Sequence, residues 1–192
     1  APQPFTSAQS NRPEDLWSFL ESVRAKGIDV IAIPHNGDAS DGLMYDWNDS
    51  DKRPISEAYA QRRALNEPLT EIAQNKGQSD TVPALSPNDE FANFEIYDHL
   101  ISRPSIKSKP DGSYIRQALG RGLVLQGREG VNPYKYGLVG ATDIHNGLST
   151  TDEPRTADWV KTPAPVVEAL TVAAANRTPQ QLDTIQQHFP SI

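Results

Sequence analysis

Two stretches decide how this chain is read: Ile-Ala-Ile-Pro-His-Asn at 31–36 and Gly-Ala-Thr-Asp-Ile-His at 140–145. Each is an apolar run that stops abruptly at side chains able to ligate a metal, His35 in the first and Asp143 with His145 in the second. In parallel α/β folds, ligands bind at the carboxyl ends of the strands. Two strand ends that deliver imidazoles and a carboxylate to one edge make part of a metal site, and only part.

Working outward from the first stretch, residues 13–26 have helical apolar spacing, with Leu16, Phe19, Leu20 and Val23 on one face. Asn11 is the expected cap, Glu14 and Asp15 favour the amino end, and Gly27 stops the helix. Residues 28–33 then read as a buried strand, which makes a helix–strand half of a βαβ unit. Residues 36–54 have no apolar period and hold Asp38, Asp41, Asp46, Asp49 and Asp51, as a long loop leaving that strand. A short helix is expected at 56–65, carrying Arg62 and Arg63, and a second strand at 69–73.

Further along, a polar segment at 78–88 leads to a predicted helix at 89–101. Residues 107–112 form a turn, and Ser113 caps a helix that ends near Leu119 or Arg121. Loop follows over 124–137, and a third strand is expected at 138–142. Helices are expected at 164–175 and 179–188, the last with Thr178 as cap and Pro179 at its first position. Strands alternating with helices predict an α/β fold with parallel strands and long polar loops at their carboxyl ends. The domain reading is loop over 1–12, the α/β domain over 13–155 and a helical segment over 156–192.

Composition narrows the function. The 192 residues suit one domain with a real core, or part of a larger one. A formal net charge of -7 argues against general binding to nucleic acid or a membrane surface, both polyanionic. With no cysteine there is no thiolate catalysis, disulfide or cysteine-ligated zinc. No run approaches the roughly 20 apolar residues of a membrane span. The start, without an initiator Met and reading as loop, is expected either to follow processing or to open a piece of a longer chain.

Asp143 and His145 stand two apart, which on an extended chain puts both on one face and within reach of one ion. Imidazole and carboxylate suit Zn, Mn or Fe, whose bound water ionises near neutral pH and attacks an ester. An ordinary strand-end turn with a capping Asp remains open for this pair, as a backbone-bonded core histidine does for His35. His99, expected within a helix, and His188 read as structural. Glu71 should point opposite to Ile72 and would accept from a ligand imidazole, or be a polar residue on a half-buried strand. Lys76, Arg116, Arg121, Arg128 and Lys135 form an anion clamp if several converge, and are solvated surface charges otherwise. The Asp-rich run 37–42 lacks the Glu and the preceding helix of an EF-hand, and the Gly-x-Gly at 120–122 has the wrong order for a dinucleotide fingerprint.

A resemblance adds to this reading. The stretch 31–42, Asn-Glu-Pro-Leu-Thr-Glu-Ile-Ala-Gln-Asn-Lys-Gly (66–77) and Asp-Glu-Phe-Ala-Asn-Phe-Glu (89–95) occur in order. They are followed by Tyr-Ile-Arg-Gln-Ala-Leu-Gly-Arg-Gly-Leu (114–123), Gly-Val-Asn-Pro-Tyr-Lys-Tyr-Gly (130–137) and the stretch 140–145. Together, over about residues 13–155, they resemble domain-of-unknown-function family 3604. That family is itself similar to the PHP (polymerase and histidinol phosphatase) metal-dependent phosphoesterases.

The resemblance implies the second half of a distorted (β/α) barrel of PHP type, with two or three divalent metal ions at its strand ends. It implies His35, Asp143 and His145 as metal ligands and Glu71 as a catalytic candidate near them. Lys76 and Arg116 are the candidates for holding a small anionic ester substrate, and the net negative charge predicts no nucleic-acid or membrane partner. The PHP pattern opens with a His-x-His pair that this chain lacks. The expectation is therefore a carboxyl-terminal fragment of a hydrolase, inactive alone and prone to self-association through open barrel edges. Its relatives' export favours a periplasmic or secreted location. A competing expectation is an inactive barrel-type binding domain that engages a partner or sugar through the acidic loop 37–51, which includes Trp47.

Overall fold

Pro13 at the first helical position, with Glu14 and Asp15 behind it, begins α1 (Pro13–Arg24). In the computed structural model, which describes residues 3–143, 145, 178–180 and 183, the buried face of α1 is Trp17, Leu20 and Val23. The predicted Asn11 cap is corrected: Arg12 holds the cap position without a side-chain bond. Ser10 organises the turn instead, its hydroxyl accepting from the Arg12 amide at 3.1 Å and donating to Asp15 at 2.6 Å. Gly27 follows at φ +79°, a conformation that glycine adopts without a Cβ penalty.

The predicted buried strand at 28–33 is a second correction. The segment runs beside the strand that follows α2, with the Ala32 amide on the Asn66 carbonyl (2.8 Å) and the Glu71 amide on the Pro34 carbonyl (2.9 Å). It forms no regular ladder. Pro34 has no amide to give, and Ile28, Ile31 and Ile33 stay 44%, 49% and 41% exposed. The loop beyond opens with a 3-10 turn, Gly37–Ala39, and closes at α2 (Glu57–Asn66), where the Ser56 hydroxyl accepts from the Tyr59 amide at 3.3 Å.

β1 (Leu69–Gln74) turns through Asn75 and Lys76 into β2 (Gly77–Gln78), its antiparallel neighbour. The helix expected at 89–101 is absent, and β3 (His99–Leu100) and β4 (Arg103–Lys107) form a hairpin there. A local bond competes with the helix at its start, where the Asp89 carboxylate takes the Phe91 amide at 2.9 Å, and at its end the Asp98 carbonyl takes the Ser108 amide across the hairpin at 2.9 Å.

The helix after Ser113 is longer than expected. α3 runs Ile115–Glu129 and ends at Gly130 with φ +78°. Its glycines suggested a loop, because glycine disfavours a helix interior. Gly122 has a packing reason, since a Cβ there would meet the Asn132 side chain at 2.1 Å. The Asn132 oxygen in turn accepts from the Tyr134 amide at 2.8 Å. β5 (Gly137–Gly140) then pairs parallel with β1, Leu69 opposite Gly137 and Glu71 opposite Val139.

The result is a mixed α/β fold. The sheet order is β2-β1-β5, beside the two-stranded β3-β4 hairpin, and among the described residues the strands close no barrel. The parallel pairing expected of the strands near 69–73 and 138–142 is present as β1 and β5. Two compact units divide the chain, residues 1–141 and 142–192. The expected helix at 164–175 lies outside the described residues; within 179–188, residues 179, 180 and 183 are helical. No helix among the described residues is long and apolar enough to cross a membrane.

The core of the first unit is Tyr45, Ile55, Ala60, Ile115, Ala118, Leu125 and Tyr134, with Ile72 and Tyr136 packed against it. The rings of Tyr45, Tyr134 and Tyr136 meet pairwise at 5.9–6.0 Å. Two buried guanidiniums tie the long loop to this core. Arg63 from α2 donates to the Met44 carbonyl at 2.7 Å, and Arg121 from α3 donates to the Tyr45 carbonyl at 2.6 Å. Arg63 also pairs with Glu67 at 2.9 Å and lies 4.8 Å over the Tyr134 ring, while the Trp17 indole donates to Glu67 at 2.8 Å.

Glu67→Ala strands a buried guanidinium and an indole N–H together. Breaking a buried pair from one side costs about 3–5 kcal/mol. Urea unfolding should show a loss of that size, whereas Glu57→Ala, exposed at the start of α2, should lose under about 0.5 kcal/mol.

Candidate functional site

The first strand-end stretch continues straight into a tight turn. Asn36 has φ 63°, a left-handed conformation that Asn tolerates better than most residues, and the Gly37–Ala39 turn follows. Gly37 sits against the Ser113 carbonyl and the Tyr45 ring, where a Cβ would lie 2.8 and 3.0 Å from its neighbours. The turn drives Asp38 into the interior, where it is fully buried. Lys76, from the β1–β2 turn, donates to both Asp38 oxygens at 2.5 Å and lies 5.1 Å from the centroid of the Tyr97 ring. Burial lifts the Asp38 carboxyl above its ordinary range, and Lys76 opposes that lift without cancelling it. The pair ties the end of the 28–35 segment to the end of β1.

His35 stands one residue before this turn. Its side chain is exposed, with Nδ1 3.4 Å from the Ile33 carbonyl, and it lines a cavity on the α1 and α2 side. Glu71 is half-buried on β1 next to Ile72, whose side chain packs on the core, so strand alternation directs Glu71 to the other face. Lys76 and Arg116, the two candidates for an anionic substrate, both have carboxylate partners. Arg116 bridges Asp80 and Asp89 at 2.5 Å each, and with its own amide on the Asp80 carbonyl it fastens the 80–89 loop to α3. His99 lies in β3, not in a helix, and pairs with Asp98 at 2.8 Å.

Asp143 and His145 belong to the second unit. Sequence spacing suggested an extended chain with both side chains on one face. The backbone is instead left-handed at both residues, φ 54° and 62°, conformations for which Asp and His are enriched. The curled backbone brings His145 Nε2 to 2.6 Å from Asp143 Oδ1. With Nε2 donating to the carboxylate, the Nδ1 lone pair of an 80% exposed imidazole faces outward. A carboxylate that orients an imidazole is a recurring support of metal sites.

An imidazole and a carboxylate suit Zn, Mn or Fe, but a catalytic ion takes about three protein ligands. Among the described residues, no three His, Cys, Asp or Glu side chains come together. The Asp143–His145 pair therefore fits as two donors of a set that the described residues do not complete.

Sequence reasoning missed Asp38 as an individual, counting it only among five loop aspartates, and it missed Arg63 and Glu67 as a buried pair. The i, i+4 spacing of Arg63 and Glu67 on a helix was the available signal.

A family model described as a protein of unknown function (DUF3604) matches residues 1–188. No curated protein and no solved structure matches the chain.

The Lys76–Asp38 pair carries a pH signature. A carboxyl raised in the folded state favours folding below its ordinary pKa, and that advantage is lost as pH rises through the folded value. Lys76→Met removes the cation paired with Asp38 and should lower stability by about 3–5 kcal/mol at pH 7. The deficit should shrink as pH falls toward about 4, where the carboxyl is protonated. Unfolding midpoints at the two pH values measure this, and equal deficits at both would contradict the assignment.

Proposed function

The chain belongs to the DUF3604 family, and on that premise we propose that it carries part of a metal-dependent hydrolase acting on an ester, a phosphoester foremost. The sheet β2-β1-β5 would then be a portion of a distorted (β/α) barrel of PHP type. The observation that carries the reading is the Asp143–His145 pair, a carboxylate and an imidazole turned onto each other by left-handed backbone just past β5 in the chain. A divalent ion bound there would supply a water that ionises near neutral pH.

In this reading Asp143 and His145 are metal ligands, and His35 is the ligand candidate of the first unit. Glu71 is proposed to orient an imidazole. Lys76 and Arg116 remain the proposed holders of a small anionic ester, and each would exchange a carboxylate partner for the substrate. That exchange makes Arg116, 47% exposed, the more accessible of the two.

Metal content after dialysis against Zn or Mn tests the reading, alongside hydrolysis of 4-nitrophenyl phosphate. Asp143→Ala and His145→Ala should each weaken metal retention at least tenfold, in line with the loss that follows removal of metal-site supports. Retention equal to the parent protein in both variants would sink the proposal.

A further inference from the structure

A cavity of about 660 Å³ opens between the start of α1, the 32–35 segment, the 40–52 loop and α2. That volume falls within the range of about 300–1,000 Å³ usual for small-molecule sites. Its walls are Leu16, Ile33, Leu43, Met44 and the ring of Tyr59. Its buried lining includes the Arg63–Glu67 pair, and its exposed polar residues are Asn11, His35, Ser50 and Lys52, the last paired with Asp46.

The charges around it cancel locally. Arg63 pairs with Glu67 at 2.9 Å, and its remaining donors go to the Met44 carbonyl and the Tyr134 hydroxyl. Lys52 pairs with Asp46 at 3.1 Å, Arg12 with Asp51, and Asp49 with Arg53 at 2.8 Å. An anionic ligand would have to pull a cation from its carboxylate, and a cationic ligand the reverse. Apolar walls with an aromatic ring at the side instead suit a ligand whose ring faces are apolar and whose edge carries hydroxyls.

We propose that this cavity binds a neutral ring-bearing polyol of the size of an aryl glycoside, its apolar face on Tyr59, Leu43 and Ile33 and its hydroxyls toward Asn11, His35 and Ser50. The lining residues all belong to the first unit and the proposal requires no metal; His35, the metal-ligand candidate of that unit, acts here as a hydrogen-bond partner. The same internal pairing makes the 40–52 loop a wall of the site.

Binding of phenyl β-D-glucopyranoside to the full chain, in the presence of a chelator and followed by titration calorimetry or ligand-observed NMR, tests the proposal. Phenyl phosphate and benzyltrimethylammonium serve as charged counterparts of the same ring. The neutral probe should bind saturably and at least tenfold more tightly than either counterpart. Leu43→Glu and Ile33→Ser, at positions 65% and 41% exposed and so outside the core, should each weaken it at least threefold. Absence of saturable binding would overturn the proposal. So would charged probes binding as well as the neutral one, or binding unchanged in both variants. Because the chelator removes metal, failure here leaves the hydrolase reading standing, and loss of metal retention in Asp143→Ala leaves this one standing.

Discussion

Arg63 from α2 and Arg121 from α3 donate to the carbonyls of two consecutive residues, Met44 and Tyr45, and so tie one long loop to two helices. Charge-assisted bonds of this kind are roughly twice as strong as neutral ones, and here they are shielded from water. A loop of this length would ordinarily be mobile surface chain. With its carbonyls held from below and Tyr45 packed in the core, it becomes a wall. Arg121 also reaches Asp111 at 2.6 Å and lies 5.0 Å from the centroid of the Trp47 ring, so the loop is gripped by side chain as well as backbone.

The same core tyrosine also holds the turn after His35. The Tyr45 hydroxyl shares a 2.8 Å hydrogen bond with Thr70 of β1, and the Thr70 hydroxyl donates to the Pro34 carbonyl at 3.1 Å. The 28–35 segment is therefore positioned through side chains where a proline interrupts a regular ladder. Lys76 and Asp38 close the same corner from the other end of β1. Placement of His35 is thus a product of the core tyrosine, two hydroxyl bonds, two backbone bonds to Asn66 and Glu71 and one buried ion pair.

Much of the framework was legible in the sequence, and the failures have physical causes. α1, α2, β1 and the parallel partner β5 follow from apolar spacing and short apolar runs bounded by glycine and proline. The 89–101 segment had helical composition, but the Asp89 side chain gives the backbone a local alternative and pairing with residues 103–107 a non-local one, neither of which composition weighs. α3 was cut short because three glycines hid it, and only the contact of Asn132 on Gly122 explains why a side chain is unwelcome there. The strand at 28–33 was misjudged because isoleucines predict burial only when something lies over them. Of the candidate site, the residue types His35, Asp143 and His145 were legible. The left-handed backbone that brings Asp143 and His145 together was not, because neither residue is glycine and nothing in the local pattern demands it.

The Asp143–His145 bond is the point on which the functional account turns. If the pair exists to hold a metal ion, the carboxylate either orients the imidazole or joins it as a ligand. If it is only a turn, the bond is its own purpose. Crystals of the protein grown with Mn or Zn, with anomalous data collected at the metal edge, separate the two most directly. The account predicts an anomalous peak within ligand distance, about 2.0–2.2 Å, of a His145 ring nitrogen or an Asp143 oxygen. An unperturbed Asp143–His145 hydrogen bond with no peak near either residue at saturating metal would contradict it.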